Sequence, residues 1–277
     1  MSEPTISILI AAYKAQDFIA EAVASACAQD MREIEIIVAP DEQADYGFLG
    51  SLDPRVRVLQ GVPRPTGPGS ARNRALDVAH GGFIALLDAD DLISPNYLSS
   101  LLPLAQGQGA AFGRTRLTDW EGNMLREVRG KNGAVGLPDF ATAFASLHGL
   151  TRNVPERRWR DELAEDVLFD METLALAGGT APFAEDAVYQ LRLRPQSMTR
   201  GHAFVNEIGA GYDRLQKMIR DGQTLIPAAQ RDAAIAVFDR WQQMNAAFAA
   251  ASQLNPGLDY QTFAATQIGA APNFSHQ

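Results

Sequence analysis

The sequence predicts an α/β fold: a mixed, mostly parallel central sheet flanked by helices, with a helical appendage at the C-terminal end. Three observations lead to this fold class. Apolar runs such as Ile6-Ser7-Ile8-Leu9-Ile10-Ala11-Ala12 and Phe83-Ile84-Ala85-Leu86-Leu87 are continuous enough to be strands buried on both faces, as in parallel sheets. A later pair of strand-like segments is joined by a short turn, which makes it antiparallel. Beyond Phe204 the apolar residues recur at helical spacing instead.

In chain order, Ile6 to Ala12 is a strand, Tyr13 to Gln16 a loop, and Asp17 a cap for a helix with Phe18, Ile19, Ala22, Val23, Ala26 and Cys27 on its inner face. Glu35 to Ala39 is the second strand, and Arg55 to Leu59 alternates like a short strand nearer an edge. Gly61 to Gly69 is too rich in Gly and Pro for regular structure, and Ser70 is a cap for a helix from Ala71 to His80, stopped by Gly81 and Gly82. After the strand that starts at Phe83, Ser94 and Pro95 open another helix. Ala111 to Asp119 and Met124 to Arg129 form the hairpin across Trp120-Glu121-Gly122-Asn123. Gly130 to Pro138 is a polar, glycine-rich segment, Asp139 to Leu147 a short helix, and Gly149 to Arg158 a mobile loop. Asp161 to Ala177 is a helix ended by Gly178-Gly179, and Tyr189 to Arg194 a strand. Phe204 to Ser252 is two helices broken near Gly222 and Pro227, and the tail from Asn255 is loosely structured.

Composition excludes several functions. A net charge of -9 with only three lysines argues against a broad nucleic-acid or anionic-membrane footprint. One cysteine, Cys27, excludes an internal disulfide and a cysteine-based zinc cage, and fits the cytoplasm. No apolar run approaches the roughly 20 residues needed to span a bilayer, and no export signal opens the chain, so a cytoplasmic protein is expected.

The chemistry concentrates where the strand from Phe83 runs into Asp88-Ala89-Asp90-Asp91. In open α/β sheets ligands sit beyond the carboxyl ends of the strands. Three crowded carboxylates repel one another unless a cation joins them, and hard oxygen donors suit Mg²⁺ or Mn²⁺ rather than zinc, so a divalent ion and a phosphate ester are expected. Arg72, one turn into the helix after the glycine-rich loop, can address phosphate together with backbone N–H groups. Glu165-Asp166 is an acidic pair on a later helix whose neighbours at 161, 162, 170 and 172 are acidic too, so a solvated helix face is its bland alternative.

Ile6 to Tyr13, Ile36 to Asp45, Gly69-Ser70-Ala71-Arg72-Asn73 and Leu87-Asp88-Ala89-Asp90-Asp91 occur in the order found in family 2 glycosyltransferases, and the chain resembles an inverting enzyme of the GT-A fold. The resemblance, which extends to about Arg200, implies transfer of a sugar from a nucleotide-diphosphate sugar to a saccharide or lipid-linked saccharide in bacterial polysaccharide or glycoconjugate synthesis. It divides the chain into a nucleotide-sugar-binding half (1–130), an acceptor-binding half (131–203) and the appendage with its tail (204–277). It makes Asp88-Ala89-Asp90-Asp91 the DxD signature, with metal contact by Asp90 or Asp91 and ribose contact by Asp88 or Asp90. It places the base against Ala11, Ala12, Tyr13 and Asp41, with uracil favoured, although Pro40 stands where the family has a first acid. Arg72 becomes a nucleotide contact, and Glu165-Asp166 the catalytic pair with Asp166 as base. His202 becomes a further metal ligand by analogy with members that add a histidine from a C-terminal loop; the isolated residue is otherwise an ordinary surface histidine, as are His80, His148 and His276. Arg192, Arg194 and Arg200 are available to neutralise diphosphate.

Two alternatives follow from the same residues: a haloacid-dehalogenase-like Mg²⁺-dependent phosphatase, disfavoured by the two strand–helix units that precede the aspartates, and a nucleotide-sugar-binding module without catalysis. The apolar stripe of the appendage, from Ile208, Tyr212, Leu215 and Ile219 to Ile235, Phe238, Trp241 and Phe248, is expected in the core or at a homodimer contact, with a peripheral site at the inner face of the membrane as the minor option.

Overall fold

A computed structural model describes residues 5–194, 202–255, 257–258 and 260–270. The opening apolar run is strand β1 (Ile6–Ala12), buried except at Ala11. Helix α1 (Ile19–Cys27) leads to β2 (Ile34–Pro40), which pairs parallel with β1 from Ile6↔Ile34 to Ala12↔Pro40. The short β3 (Val56–Val58) closes that edge of the sheet, and after α2 (Pro68–Leu76) the strand β4 (Phe83–Leu86) pairs parallel on the other side of β1. The ends of β1, β2 and β4 therefore open on one edge, where the aspartates follow β4.

The second half begins with β5 (Leu92–Ile93), α3 (Tyr97–Gln108) and the predicted hairpin of β6 (Ala110–Asp119) and β7 (Met124–Val128). Then come β8 (Ala134–Gly136), α4 (Leu137–Phe140), β9 (Leu150–Arg152), α5 (Glu165–Leu176) and β10 (Thr180–Leu193). Three helices follow: α6 (His202–Arg220), α7 (Arg231–Leu254) and α8 (Tyr260–Ala270). Among the described residues the main sheet runs β3-β2-β1-β4-β9-β6-β10-β5. Its longest ladders, β1 with β2 and β6 with β10, are parallel, and the shorter ones in its second half are antiparallel.

Several sequence expectations need correction. Gly149 to Arg158 is not a free loop, because Leu150–Arg152 is inserted as β9 between β4 and β6. Gly149 permits that insertion, since a Cβ there would lie 2.7 Å from the Phe112 ring. The glycine-rich Gly130 to Pro138 segment contains β8, which pairs with β10, and the short helix after it covers only Leu137–Phe140. The tail from Asn255 contains α8, whose Tyr260 and Phe263 pack on Phe248 of α7 at 5.4 and 5.7 Å between ring centroids.

The three expected caps serve other ends. A backbone turn starts α1, with the Ala15 carbonyl accepting from Phe18 and Ile19 N–H, and Asp17 makes no cap bond. Helix α2 starts at Pro68, whose ring pre-sets the first helical φ, so Ser70 lies inside it. Ser94 exchanges hydrogen bonds with Val188 of β10 and leaves α3 to begin after Asn96.

Alternate sides of β1 face different layers. Ile6, Ile8 and Ile10 pack with α1 and α3, while Leu9 packs with Ile84, Leu86, α2, Trp159 and Phe169 of α5. A further core joins α4, α5, α6, α7 and α8 to Phe112 and Phe183. Ile208, Tyr212, Leu215, Ile219, Phe238, Trp241 and Phe248 are all buried there, so the apolar stripe of the appendage belongs to the chain's own interior. No helix of the described residues is long and apolar enough to cross a membrane.

Candidate functional site

The aspartates after β4 line a cavity of about 570 Å³ together with Gly69 and Arg72 of α2, Glu165 and Asp166 of α5, and Tyr212 and Trp241 from the appendage. Contact between α2 and α5 depends on Gly69. A Cβ at that position would fall 2.6 Å from the Arg160 carbonyl oxygen and 3.1 Å from Glu165 Cγ. Asn73 of α2 fixes the intervening chain by donating Nδ2–H to the Trp159 carbonyl at 2.9 Å and accepting the Trp159 N–H at 3.1 Å. The Trp159 ring stacks on Phe169 of α5 at 4.0 Å.

Arg72 is 5% exposed and joins the two acidic groups. One terminal nitrogen donates to Asp88 Oδ1 at 2.7 Å and the other to Glu165 Oε1. Arg72, expected as a nucleotide contact, thus forms a buried clamp between the Asp88–Asp91 segment and α5. Burial opposes ionisation of Asp88, but Arg72 and His148 outweigh it and hold the carboxyl well below its usual range. Burial pushes Glu165 up to about 7 against the pull of Arg72.

His148, an ordinary histidine by sequence, belongs to this centre. Its Nε2 lies 3.2 Å from Asp88 Oδ2, and Asp88 lifts its pKa to about 9 although burial works the other way. The sheet explains the meeting: β9 runs antiparallel to β4 with Ala85 opposite Leu150, so the residues before β9 lie beside those after β4.

The three aspartates have different surroundings. Asp91 is 3% exposed, with one oxygen accepting from Tyr189 Oη and the other from the Arg192 N–H, both at 2.8 Å. Burial and the neighbouring Asp90 and Asp88 charges raise its pKa well above the carboxylate range. Asp90 accepts from Arg194 Nε at 2.7 Å, and burial followed by Asp88 raises its pKa. Arg194 lies over the Phe18 ring at 4.5 Å, while Arg192 lies over Trp120 at 4.3 Å and donates to the Asp90 carbonyl and to Glu21.

Mg²⁺ and Mn²⁺ need only one or two protein carboxylates when phosphates and waters complete the shell. Asp88 and Asp90 fit that requirement by access, with 28% and 26% of their side-chain surface exposed, although Arg72 and His148 take the two Asp88 oxygens and Arg194 one of Asp90. Asp91, expected as an alternative ligand, is 3% exposed and has each oxygen in a hydrogen bond inside the protein, which leaves Asp90 the more accessible of the two. The side chain of His202, the other expected ligand, lies outside the described residues, as does Arg200.

The residues expected at the nucleotide base lie outside the lining of this cavity. Ala11 and Ala12 end β1, Tyr13 is 48% exposed beside Lys14, and none of these residues lines the cavity. Asp41 is 3% exposed, and both its oxygens accept from Thr66 and Gly67 donors at 2.8–3.0 Å. It holds the glycine-rich loop to the end of β2.

The acids of α5 do not form a solvated face. Glu165, Asp170 and Glu172 are buried; Asp170 accepts from Ser146 and Leu147, and Glu172 from Leu225 N–H and Arg160. Asp166 is half-buried on the cavity wall, and among the described residues it accepts a local bond from Val167 N–H. The residue before the pair, Ala164, has φ 63°, a costly conformation for a residue other than glycine, and it aims the start of α5.

Comparison with known proteins gives the family and the fold. The profile of glycosyl transferase family 2 matches residues 7–153. The succinoglycan biosynthesis protein ExoO of Rhizobium meliloti is 30% identical over 221 residues, which are 71% of this chain and 63% of that protein. A Campylobacter jejuni GalNAc(5)-diNAcBac-PP-undecaprenol beta-1,3-glucosyltransferase is 31% identical over 46% of this chain and 43% of its own. The chain thus spans less than two thirds of the length of either relative. The fold is that of S. aureus TarS 1-349 in complex with UDP-GlcNAc, with a TM-score of 0.67 at 18% identity over 94% of this chain and 79% of the other. The family match removes the phosphatase alternative. With strands that end at an aspartate cluster, an acidic pair facing it and a profile match over more than half its length, this GT-A-fold chain belongs to glycosyl transferase family 2.

Proposed function

We propose that the protein transfers a sugar from a nucleotide-diphosphate sugar, a UDP-sugar in first place, to an acceptor hydroxyl with inversion at the anomeric carbon. The observation that carries the proposal is Asp166 on the wall of the cavity that also holds Asp88 and Asp90. Among the described residues its carboxylate makes a local bond to Val167 N–H and is available to take a proton, unlike Glu165, which is tied to Arg72. In a single displacement the acceptor oxygen attacks the anomeric carbon as Asp166 takes the hydroxyl proton. The sugar–phosphate bond breaks, and the nucleoside diphosphate leaves with the electron pair from the opposite face.

Asp88 and Asp90 hold the donor side, with Arg72 and His148 keeping Asp88 ionised. Asp90 would hold Mn²⁺ or Mg²⁺, which when bound would supply positive charge to the departing diphosphate. Arg194, with 32% of its side chain exposed, adds charge from the protein once it leaves Asp90. The acceptor lies toward Tyr212 and Trp241. A saccharide or lipid-linked saccharide is proposed for it, with the protein working at the inner face of the membrane in bacterial polysaccharide or glycoconjugate synthesis. The names of the succinoglycan protein and the undecaprenol-dependent glucosyltransferase support this setting. Incubation with UDP-sugars, Mn²⁺ and polyprenyl-diphosphate-linked saccharides should release free UDP and lengthen the saccharide. Phosphate release from simple esters without sugar transfer would overturn the proposal.

A further inference from the structure

We propose that His148 is a positioning residue for the donor site, holding the Asp88 carboxylate in a fixed orientation through its Nε2–H. The inference rests on the reading of Asp88 as a donor contact, and its geometry is independent of that reading. An ionised carboxylate only accepts, so the proton of the 3.2 Å contact to Asp88 Oδ2 sits on His148 Nε2. Arg72 takes the other oxygen, Oδ1, at 2.7 Å. Two donors from different directions leave Asp88 no free rotation about its last bond.

The chain around His148 is built to aim the ring. The imidazole stacks flat on Tyr189, 4.2 Å between centroids and 4° between planes. The same Tyr189 accepts the Asp88 N–H at 3.0 Å and donates to Asp91, so one tyrosine braces the histidine and the aspartates together. The His148 carbonyl accepts from Tyr97 Oη at 2.7 Å, and Asp170 of α5 accepts from Ser146 Oγ and Leu147 N–H just before it. Phe144 and His148 have φ 47° and 49°, a left-handed conformation that survives in such residues only where the surroundings enforce it. A histidine needed only for packing requires none of these restraints. The path Asp170–Leu147–His148–Asp88 also gives α5 a second connection to the DxD segment besides Arg72.

Two variants separate positioning from packing. His148→Phe keeps a flat ring on Tyr189 and removes the donor; His148→Gln removes the ring and keeps an N–H of similar reach. Calorimetry with UDP and GDP in the presence of Mn²⁺ should show about tenfold weaker binding for His148→Phe, the order expected for one hydrogen bond to a charged group. His148→Gln should return affinity to within about threefold of wild type, even with a lower melting temperature. Wild-type affinity in His148→Phe, or an equal loss in both variants, would overturn the proposal. The ring ¹⁵N shifts of His148 provide a reading without donor: they should move in Asp88→Asn, and their failure to move would overturn the contact itself. If they move but the wild type binds neither nucleotide, the proposed function fails and the positioning role with it, while the contact stands.

Discussion

Arg72 on α2 donates a charged hydrogen bond to Glu165, the first residue of α5, and both side chains are buried. Removing one partner of such a pair leaves a buried charge without compensation, at a cost of about 3–5 kcal/mol. Glu165 can relieve part of this by taking a proton, since it already titrates at about 7. Arg72→Met should therefore lose about 3 kcal/mol in urea unfolding at neutral pH and transfer activity with it. An unchanged midpoint and slope would show that the clamp contributes nothing.

Gly69 sets the distance between the same helices. Gly69→Ala places a methyl group against the Arg160 carbonyl and Glu165 Cγ, where backbone cannot give way cheaply. Strain of about 1–3 kcal/mol is expected, with a larger relative loss of turnover than of stability because the start of α5 is displaced. Comparing thermal melts with rates of UDP release checks both parts. Full activity in the alanine variant would mean that the contact is not needed.

On the proposed function, Arg194 and a divalent ion would compete for the Asp90 carboxylate. Arg194 Nε occupies Asp90 Oδ2 at 2.7 Å, so Arg194→Ala should free that oxygen. Mn²⁺ titration of the nucleotide-free protein, followed by electron paramagnetic resonance, should show several-fold tighter binding in the variant. Weaker donor binding is expected at the same time, since a cation for the diphosphate is lost. Unchanged Mn²⁺ affinity would remove Asp90 as the metal contact.

Two of the raised pKa values bear on stability near and above neutral pH. Glu165 titrates at about 7 in the fold against an ordinary value of 4.5, and His148 at about 9 against 6.5. In both cases the folded state binds the proton more tightly, so their stabilisation is present at low pH and lost as pH rises. The Glu165 contribution declines between about 4.5 and 7 and that of His148, which faces Asp88, Asp170 and Asp91, between about 6.5 and 9. Urea unfolding should show stability falling by roughly 3 kcal/mol over the upper window. His148→Phe should flatten that part of the curve, and an identical slope in the variant would contradict the assignment.

The first half of the fold was legible because β1, β2 and β4 are apolar runs that end in turn or acidic residues, a pattern that little else produces. β9 was not legible: Leu150-Thr151-Arg152 is too short for any period, and its place between β4 and β6 comes from pairing with residues far along the chain. His148 was hidden for the same reason, since only that register brings it to Asp88. A solvated face was the bland alternative for the α5 acids, and loops that fold back over the helix bury three of them. Asp41 kept the residue type expected of a base contact, but its two oxygens serve Thr66 and Gly67, a role that residue type alone cannot reveal. Around the cavity, Asp88, Asp90, Arg72, Glu165 and Asp166 do come together as the motif order implied.

The central claim is that Asp166 acts as the base facing a donor held by Asp88 and Asp90. Asp166→Asn keeps the size of the side chain and its place on the cavity wall, and removes the proton acceptor. Donor affinity measured by calorimetry with a UDP-sugar and Mn²⁺ should stay within a few-fold of wild type, while single-turnover sugar transfer falls by about a thousandfold or more, the scale of general-base catalysis. Transfer at the wild-type rate with donor still bound would contradict the account and require another base.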